Sequence, residues 1–240
     1  MIYLCIRRTL DWRDAAAVEA GLRPEMRPKV AVWNATFSVP YHLFRARLKG
    51  ITELNLARVE QASRAALDEI PPGAVVVPVD DDDWLAPDLA VHLRRAWSPA
   101  VAGWLWTSHL LELPRASRPR LRFWWRRHEP PSTCSTNNYA VANRPELAPL
   151  ALRHVQAGQW FDANGDRIRH VPRTLAMQNR NLASQTALAW RRPTITRDEL
   201  VESLERYRAL YASLRLPLEI TWAEPYIALA AELTHDIRVR

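Results

Sequence analysis

The segment 71–88 constrains the fold of this chain more than any other part of its sequence. Ala74 to Val79 (AVVVPV) is an apolar run rich in β-branched residues, which predicts a buried strand. A helix stop, Pro71-Pro72-Gly73, comes directly before it. Four consecutive aspartates, Asp80 to Asp83, come directly after it, and Pro87 then suits the first turn of a helix. This order predicts an α/β domain in which a strand ends in an acidic turn.

The four aspartates predict a site for a divalent cation. Side chains alternate along a strand, so Asp80 and Asp82 are expected to point one way and Asp81 the other. Like charges about 4 Å apart repel by about 1 kcal/mol in water and by several times that near a protein interior. A cation that neutralises them would have to prefer hard oxygen ligands, as Mg²⁺, Mn²⁺ and Ca²⁺ do. The alternative is a solvated turn in which Asp81 or Asp83 caps the next helix.

The rest of the sequence alternates between predicted strands and helices. Ile2 to Ile6 predicts a strand with Arg7 and Arg8 at its carboxyl end, where open α/β sheets bind ligands. Further helices are predicted over 11–20, 52–69 (with Thr52 as N-cap), 145–157, 196–216 (with Thr196 and Glu199 as capping box) and 218–234. Further strands are predicted over 30–33, 101–113, 167–171 and within 134–142, with a polar loop over 178–181. We expect one α/β domain over 1–195 and a helical extension over 196–240 packed on it.

Composition indicates the class of protein and its surroundings. The chain has 240 residues, 48% of them hydrophobic, which is enough for one core. Cys5 and Cys134 have neither the spacing of metal ligands nor that of a disulfide framework. No signal peptide and no apolar run of membrane-spanning length is visible. We therefore expect a cytoplasmic protein whose only membrane contact is peripheral, at the inner membrane surface.

The net charge of +7 is carried almost wholly by arginine, since Lys29 and Lys49 are the only lysines. Arginine binds phosphate through a planar fork, so this bias is compatible with a phosphorylated partner. A GC-rich genome would produce the same bias. Six glycines, none of them clustered, disfavour P-loop kinases and nucleotidyltransferases, which carry a Gly-rich phosphate loop.

The segment Asn55 to Asp88 resembles the donor-binding half of GT-A glycosyltransferases, and VVVPVDDDDWLAPD is similar to the strand, metal motif and helix start of their inverting family-two members. In those enzymes a helix bearing Asn and Arg precedes an apolar strand that ends in a D-x-D motif. The first strand departs from the family-two pattern: Ile6-Arg7-Arg8-Thr9 replaces apolar-Pro-x-x-Asn-Arg. In this it resembles a smaller, rhamnosyltransferase-like group of bacterial GT-A proteins.

The resemblance implies a GT-A fold, which is a Rossmann-like mixed central sheet flanked by helices. It implies transfer of a sugar from a nucleotide-diphosphate sugar to a hydroxyl acceptor with inversion, and Mn²⁺ or Mg²⁺ as cofactor. Asp80 and Asp82 are then the D-x-D pair. Asp80 would lie near the ribose or the metal-bound waters, Asp82 would ligate the metal, and Asp83 would support either.

An inverting enzyme also needs a carboxylate to accept the proton of the acceptor hydroxyl. Asp162 and Asp166 are the candidates, in a segment (WFDANGD) where GT-A enzymes often place this base. The alternative is a plain turn built on Asn164 and Gly165.

Further candidates would bind the donor. Asn137 and Asn138 offer amides for sugar hydroxyls, although adjacent asparagines are also common in turns. The candidates for phosphate contact, any of which could equally be an ordinary surface arginine, are Arg7, Arg8, Arg58 and Arg180.

The stretch 120–127 (RLRFWWRR) mixes cationic and aromatic side chains. It could lie on an anionic membrane surface or cover an acceptor groove, or it could be a strand with one buried aromatic face.

A pI near 10 raises an alternative function, a non-catalytic protein that binds nucleic acid or an anionic surface. The basic residues are scattered and form no recognised nucleic-acid motif, so we expect no nucleic-acid partner. A GT-A protein that has lost activity and serves as a scaffold is a third possibility.

Overall fold

The computed structural model describes residues 1–7, 51–56, 67–80, 83–112, 124–128, 137–151, 154–180, 205, 209 and 212–228. The helix predicted over 11–20, the strand predicted over 30–33 and much of the helix predicted over 196–216 lie outside these residues.

The described residues form an α/β fold around one mixed sheet of eight strands. The strands are β1 (Ile2–Arg7), β2 (Thr52–Leu56), β3 (Val75–Asp80), β4 (Trp84–Leu85), β5 (Gly103–Glu112), β6 (Trp124–His128), β7 (Tyr139–Ala142) and β8 (Ile168–Arg180). Two α-helices have both ends in the described residues, α1 (Leu89–Arg95) and α2 (His154–Ala163), and residues 224–228 are also α-helical. 3-10 helices span Ala148–Ala151, Gly165–Arg167 and Leu218–Ala223.

The strand order is β2-β1-β3-β7-β5-β8-β4, and β6 pairs with β5. β1 runs parallel to β2 and β3, and β5 runs parallel to β8. β7 is antiparallel to both of its neighbours, β3 and β5, so β3 and β5 are parallel to each other. The five strands β1, β2, β3, β5 and β8 therefore all run in the same direction. We call the end at which β1, β2 and β3 terminate the carboxyl end of the sheet, and the opposite end the amino end.

The sheet curls over its own carboxyl end. In a flat sheet the four steps from β3 to β4 would separate them by about 19 Å. The four steps along the chain from Asp80 to Trp84 span at most about 14 Å. The hydrogen bond from the Asp83 amide to the Asp80 carbonyl, at 3.1 Å, makes the distance shorter still. The outer strands must therefore bend back towards the end of β3.

A bulge in β8 accounts for part of this bend. Val171 pairs with Trp106, the next residue of β5 pairs with Thr174 and the one after that with Ala176, so three residues of β8 are extra. One of them is Pro172, which has no amide hydrogen for a ladder bond and is tolerated in strands at such irregularities. Bulges bend the strand that carries them and increase its twist.

The apolar core extends along the whole sheet, and its amino half contains no buried polar side chain among the residues that the structure describes. Val76, Val77 and Leu93 are fully or almost fully buried there, on β3 and on α1. Gly103 begins β5 against the ring of Phe161 on α2, and a Cβ atom at this glycine would collide with that ring. The close approach of α2 to the sheet therefore requires glycine at this position.

Most of the predicted elements are confirmed: β1, β3, β5, β7 and the helix after the acidic turn. In addition, β6 confirms the strand interpretation for part of 120–127. Within the described ranges, no helix is both long enough and apolar enough to cross a bilayer.

Three predictions are wrong in part. The helix over 52–69 starts as strand β2; its sequence TELNL alternates apolar and polar residues with the period of a strand, which outweighs the capping signal of Thr52. The helix over 145–157 is a 3-10 turn followed by α2. The loop over 178–181 is part of β8 as far as Arg180, because its backbone pairs with the last residues of β5.

Candidate functional site

Buried polar side chains concentrate at one end of the sheet. Among the described residues, those that are polar or charged and buried are Asp83, Thr107, Ser108, His109, Asn137, Asn138 and Thr174. All seven lie at or beyond the carboxyl end: in the acidic turn, in the second half of β5, directly before β7, or past the bulge of β8. Burying a polar group is unfavourable unless it is hydrogen-bonded, so these side chains require partners at this end of the sheet.

The acidic turn (Asp80–Asp83) lies at the centre of this end. Asp80 is the last residue of β3 and is half-buried. Asp83 is only 5% exposed, and its amide closes the turn on the Asp80 carbonyl. Asp81 and Asp82 lie outside the described residues. The two described carboxylates thus begin and end a tight turn, with one of them at the end of a central strand.

The carboxyl ends of β1 and β3 form a topological switch point. Among the strands that the structure describes, β2 follows β1 in the chain and adds on one side of it, whereas β3 adds on the other. In open α/β sheets, ligands bind in the crevice outside the carboxyl ends of the two strands at such a point. Arg7 and Asp80, the last residues of these two strands, are partners in the parallel register. The structure therefore brings a predicted phosphate-binding residue next to a predicted metal-binding residue.

The asparagine pair lies at the same end, one strand further along. Asn137 and Asn138 directly precede β7, which runs antiparallel to β3. The indole Nε1 of Trp106 donates to the Asn137 carbonyl at 3.0 Å, and its backbone amide donates to the Asn138 carbonyl at 3.1 Å. Both asparagines are completely buried. In this conformation they form part of the base of the site rather than its open surface.

The remaining arginines are less well placed or lie outside the described residues. Arg180 ends β8 beside Glu112, beyond the level at which β3 ends. Arg8 and Arg58, which were predicted to contact phosphate, lie outside the described residues, as does Asp82. The predicted residues that the structure gathers at one end are thus Arg7, Asp80, Asp83, Asn137 and Asn138.

The two candidate bases lie at the opposite end of the sheet. Asp162 is near the end of α2 and Asp166 is in the 3-10 helix that follows; both are exposed. The next residue, Arg167, accepts a hydrogen bond from Ala102, directly before β5 begins. Since β3 has six residues, the two ends are about 17 Å apart. The structure does not bring these aspartates together with Asp80.

Asn164 explains the conformation around these aspartates. Its side-chain amide donates to the Trp160 carbonyl at 2.8 Å, and its own carbonyl accepts from the Arg167 amide at 3.0 Å. These bonds are those of the plain turn that the sequence offered as the alternative.

The donor set of the acidic turn fits a cation that is shared with a ligand. Among the described residues no three His, Cys, Asp or Glu side chains are grouped closely enough to hold a metal alone. Mg²⁺ and Mn²⁺ are commonly held by one or two carboxylates, with phosphate oxygens and waters completing the shell. Asp80 and Asp82, two residues further along the chain, would supply the one or two carboxylates that such a cation needs.

An aromatic cluster beside the acidic turn was not predicted from the sequence. The indole of Trp84 stacks on Tyr226 with ring centroids 5.4 Å apart, and Trp222 meets Tyr226 edge-on at 6.2 Å. Trp222 also donates to the Thr174 carbonyl at 3.1 Å. Residues 218–228, which we call the C-terminal segment, thereby pack on β4 and on the bulged part of β8.

A cavity of about 290 Å³ lies at the amino end, away from the acidic turn. It has a mainly apolar lining and contains no carboxylate; its residues are Met1, Ile2, Val75, Leu93, Arg94 and Trp97. It therefore lacks the carboxylates that would hold a divalent cation.

Comparisons with known proteins add no assignment. No family model matches the chain, and no curated protein matches it with significant similarity.

Proposed function

We propose that this chain is a GT-A-type glycosyltransferase that moves a sugar from a nucleotide-diphosphate sugar to a hydroxyl acceptor, with Mn²⁺ or Mg²⁺ as cofactor. The observation that carries the proposal is the place of Asp80. It ends a central parallel strand at the topological switch point, in register with Arg7.

The chemistry of the transfer fits the residues at this end. The acceptor oxygen bonds to the anomeric carbon and its hydroxyl proton passes to a base, while the bond from that carbon to the diphosphate breaks, so negative charge develops on the leaving group. A divalent cation held by Asp80 and Asp82 would neutralise that charge. The guanidinium group of Arg7 has the planar fork that binds phosphate oxygens.

The burial of the other residues suggests supporting roles. Asp83 closes the acidic turn, and the carbonyls of Asn137 and Asn138 are fixed by Trp106. We propose that these three residues shape the site rather than contact the open part of the donor. We do not assign the acceptor base to Asp162 or Asp166, because both lie at the amino end of the sheet.

A ligand screen tests the proposal. Thermal unfolding of the full chain would be followed with UDP-, GDP-, dTDP- and CMP-sugars, each with and without Mn²⁺. Ligands that bind only the folded state raise the apparent midpoint by mass action. We expect a rise that needs both the nucleotide sugar and the metal.

Two results would contradict the proposal. The first is the absence of any metal-dependent shift across the whole screen. The second is tight binding of DNA or RNA with steep salt dependence and without nucleotide-sugar binding, which would support the alternative of a basic nucleic-acid-binding protein.

A further inference from the structure

The strand that follows the acidic turn is short and has few ladder bonds of its own. β4 has two residues, and the partners given for it in the described part of the sheet are Met177 and Ala176 of β8. One more bond, from the Ala86 amide to the Leu175 carbonyl at 2.9 Å, extends this pairing. A pairing of this length is marginal by itself. The acidic turn thus begins at the end of a central strand, at Asp80, and ends at Asp83, beside a strand whose backbone pairing is short.

The C-terminal segment makes a hydrogen bond and an aromatic stacking contact with β4. The Tyr226 hydroxyl donates to the Leu85 carbonyl at 2.8 Å, and this bond is buried. The ring of the same tyrosine stacks on Trp84 at an interplanar angle of 13°, and Trp84 is fully buried. Tyr226 therefore contacts both residues of β4, one through the backbone and the other through the side chain.

Other contacts fix the segment itself on the sheet. Glu219 lies 3.5 Å from the ring nitrogen of His109 on β5, and Trp222 bonds to Thr174 on β8. Tyr226 is consequently held from β5 and β8 while it holds β4. A displacement of this segment would release β4 and with it the second half of the acidic turn.

We propose that Tyr226 is a positioning residue for the acidic turn: it holds β4 so that the carboxylates of the turn keep the arrangement in which they bind a metal and a diphosphate. The binding part of this inference rests on the proposed function; the positioning part does not. Local opening of β4 would be coupled to loss of the site, since only the closed form has the turn in place.

The chain offers a matched control for the hydroxyl. Tyr139 is also a buried tyrosine whose hydroxyl donates to a backbone carbonyl, that of Leu150 at 2.6 Å, but it contacts Phe161 on α2 rather than β4. Tyr226→Phe and Tyr139→Phe each remove one such bond and keep the ring.

Hydrogen exchange of the full-length variants separates positioning from general stability. In Tyr226→Phe we expect the amides of Asp83 to Ala86 to exchange about fivefold faster, which is the effect of one lost hydrogen bond on local opening. In Tyr139→Phe the same amides should exchange at the wild-type rate. Unchanged exchange of these amides in Tyr226→Phe, or an equal increase in both variants, would overturn the inference.

Binding gives the second measurement. Tyr226→Ala removes the stacking as well as the bond, and we expect the affinity for Mn²⁺ with UDP, GDP or dTDP, each tested in turn, to fall about tenfold or more. In Tyr226→Phe we expect this affinity to stay within about twofold of the wild-type value, because the ring still packs on Trp84. Equal affinities in wild type and Tyr226→Ala would contradict the inference. If the wild type binds none of these nucleotides, the proposed function fails, and the exchange experiment still decides whether Tyr226 positions the turn.

Discussion

Both halves of the sheet bury apolar side chains, but the seven buried polar side chains among the residues that the structure describes all lie in the carboxyl half. Both halves share the long strand β5, and each contains a fully buried tryptophan from it, Trp104 in the first half and Trp106 near the start of the second. The first half is packed for stability, since apolar burial is favourable wherever it occurs. The second half has an apolar core as well, to which it adds buried polar side chains and an acidic turn, the pattern expected where residues are kept for function and not for packing alone.

The largest expected effect is on stability, from a change in the amino half. Leu93→Ala removes a fully buried side chain of α1 and should lower the free energy of unfolding by about 2–5 kcal/mol, measured by urea unfolding. The affinity of the folded protein for nucleotide and Mn²⁺ should not change. Val91→Ala is the control, since Val91 is on the same helix but 42% exposed, and it should change the free energy by less than about 0.5 kcal/mol. Weakened nucleotide binding in folded Leu93→Ala would contradict the inference that packing in the amino half affects stability and not binding.

The opposite pattern is expected at the acidic turn. Asp82→Ala and Asp80→Asn should each weaken Mn²⁺-dependent binding of a nucleoside diphosphate at least about 100-fold, or about 2.7 kcal/mol, because a charged ligand of the metal is lost. Neither should destabilise the metal-free protein, since each removes repulsion within the turn. Calorimetry measures the first effect and urea unfolding the second. Asp68→Asn, at an exposed aspartate before β3, is the control for charge alone. Wild-type binding by both site variants would reject the assignment of the metal site.

A smaller effect distinguishes the two tryptophans of β5. Trp104 donates its indole hydrogen to the Ala96 carbonyl at 3.2 Å, and Trp106 donates to the Asn137 carbonyl at 3.0 Å. Replacing either by phenylalanine should lower the free energy of unfolding by about 1–3 kcal/mol, because a backbone carbonyl loses its donor. Only Trp106→Phe should also weaken nucleotide binding, several-fold, because it loosens the segment before β7. Equal effects of the two variants on binding would mean that the halves are coupled through β5.

The parts of this molecule that the sequence predicted are those with local signals. A β-branched run that ends in aspartates identifies β3 and the acidic turn without reference to any other segment. By contrast, Trp106 and Asn137 are 31 residues apart, and Tyr226 and Leu85 are 141 apart. No pattern in the sequence indicates that these pairs meet, so the supports of the site could not be predicted.

The position of the candidate bases depends on long-range pairing in the same way. The sequence WFDANGD has the composition of a site loop and also that of a turn. What places it at the amino end is that the strand after it, β8, runs parallel to β5 and starts level with it, Ile168 opposite Gly103. Strand direction and register of this kind are not encoded within seven residues.

The smallest expected effects on binding and stability are those of changes at Asp162 and Asp166. They test directly whether function is confined to the carboxyl half of the sheet. Asp162→Asn and Asp166→Asn should leave nucleotide affinity at the wild-type value and change the free energy of unfolding by less than about 0.5 kcal/mol, since both side chains are exposed. Once a donor and an acceptor are known, turnover should also be unchanged, because a base must lie within hydrogen-bonding reach of the acceptor hydroxyl and these residues are about 17 Å from the acidic turn. A loss of turnover with unchanged donor affinity in either variant would place the acceptor at the amino end. The reaction would then have to span both halves of the sheet, and the division between a stabilising half and a functional half would fail.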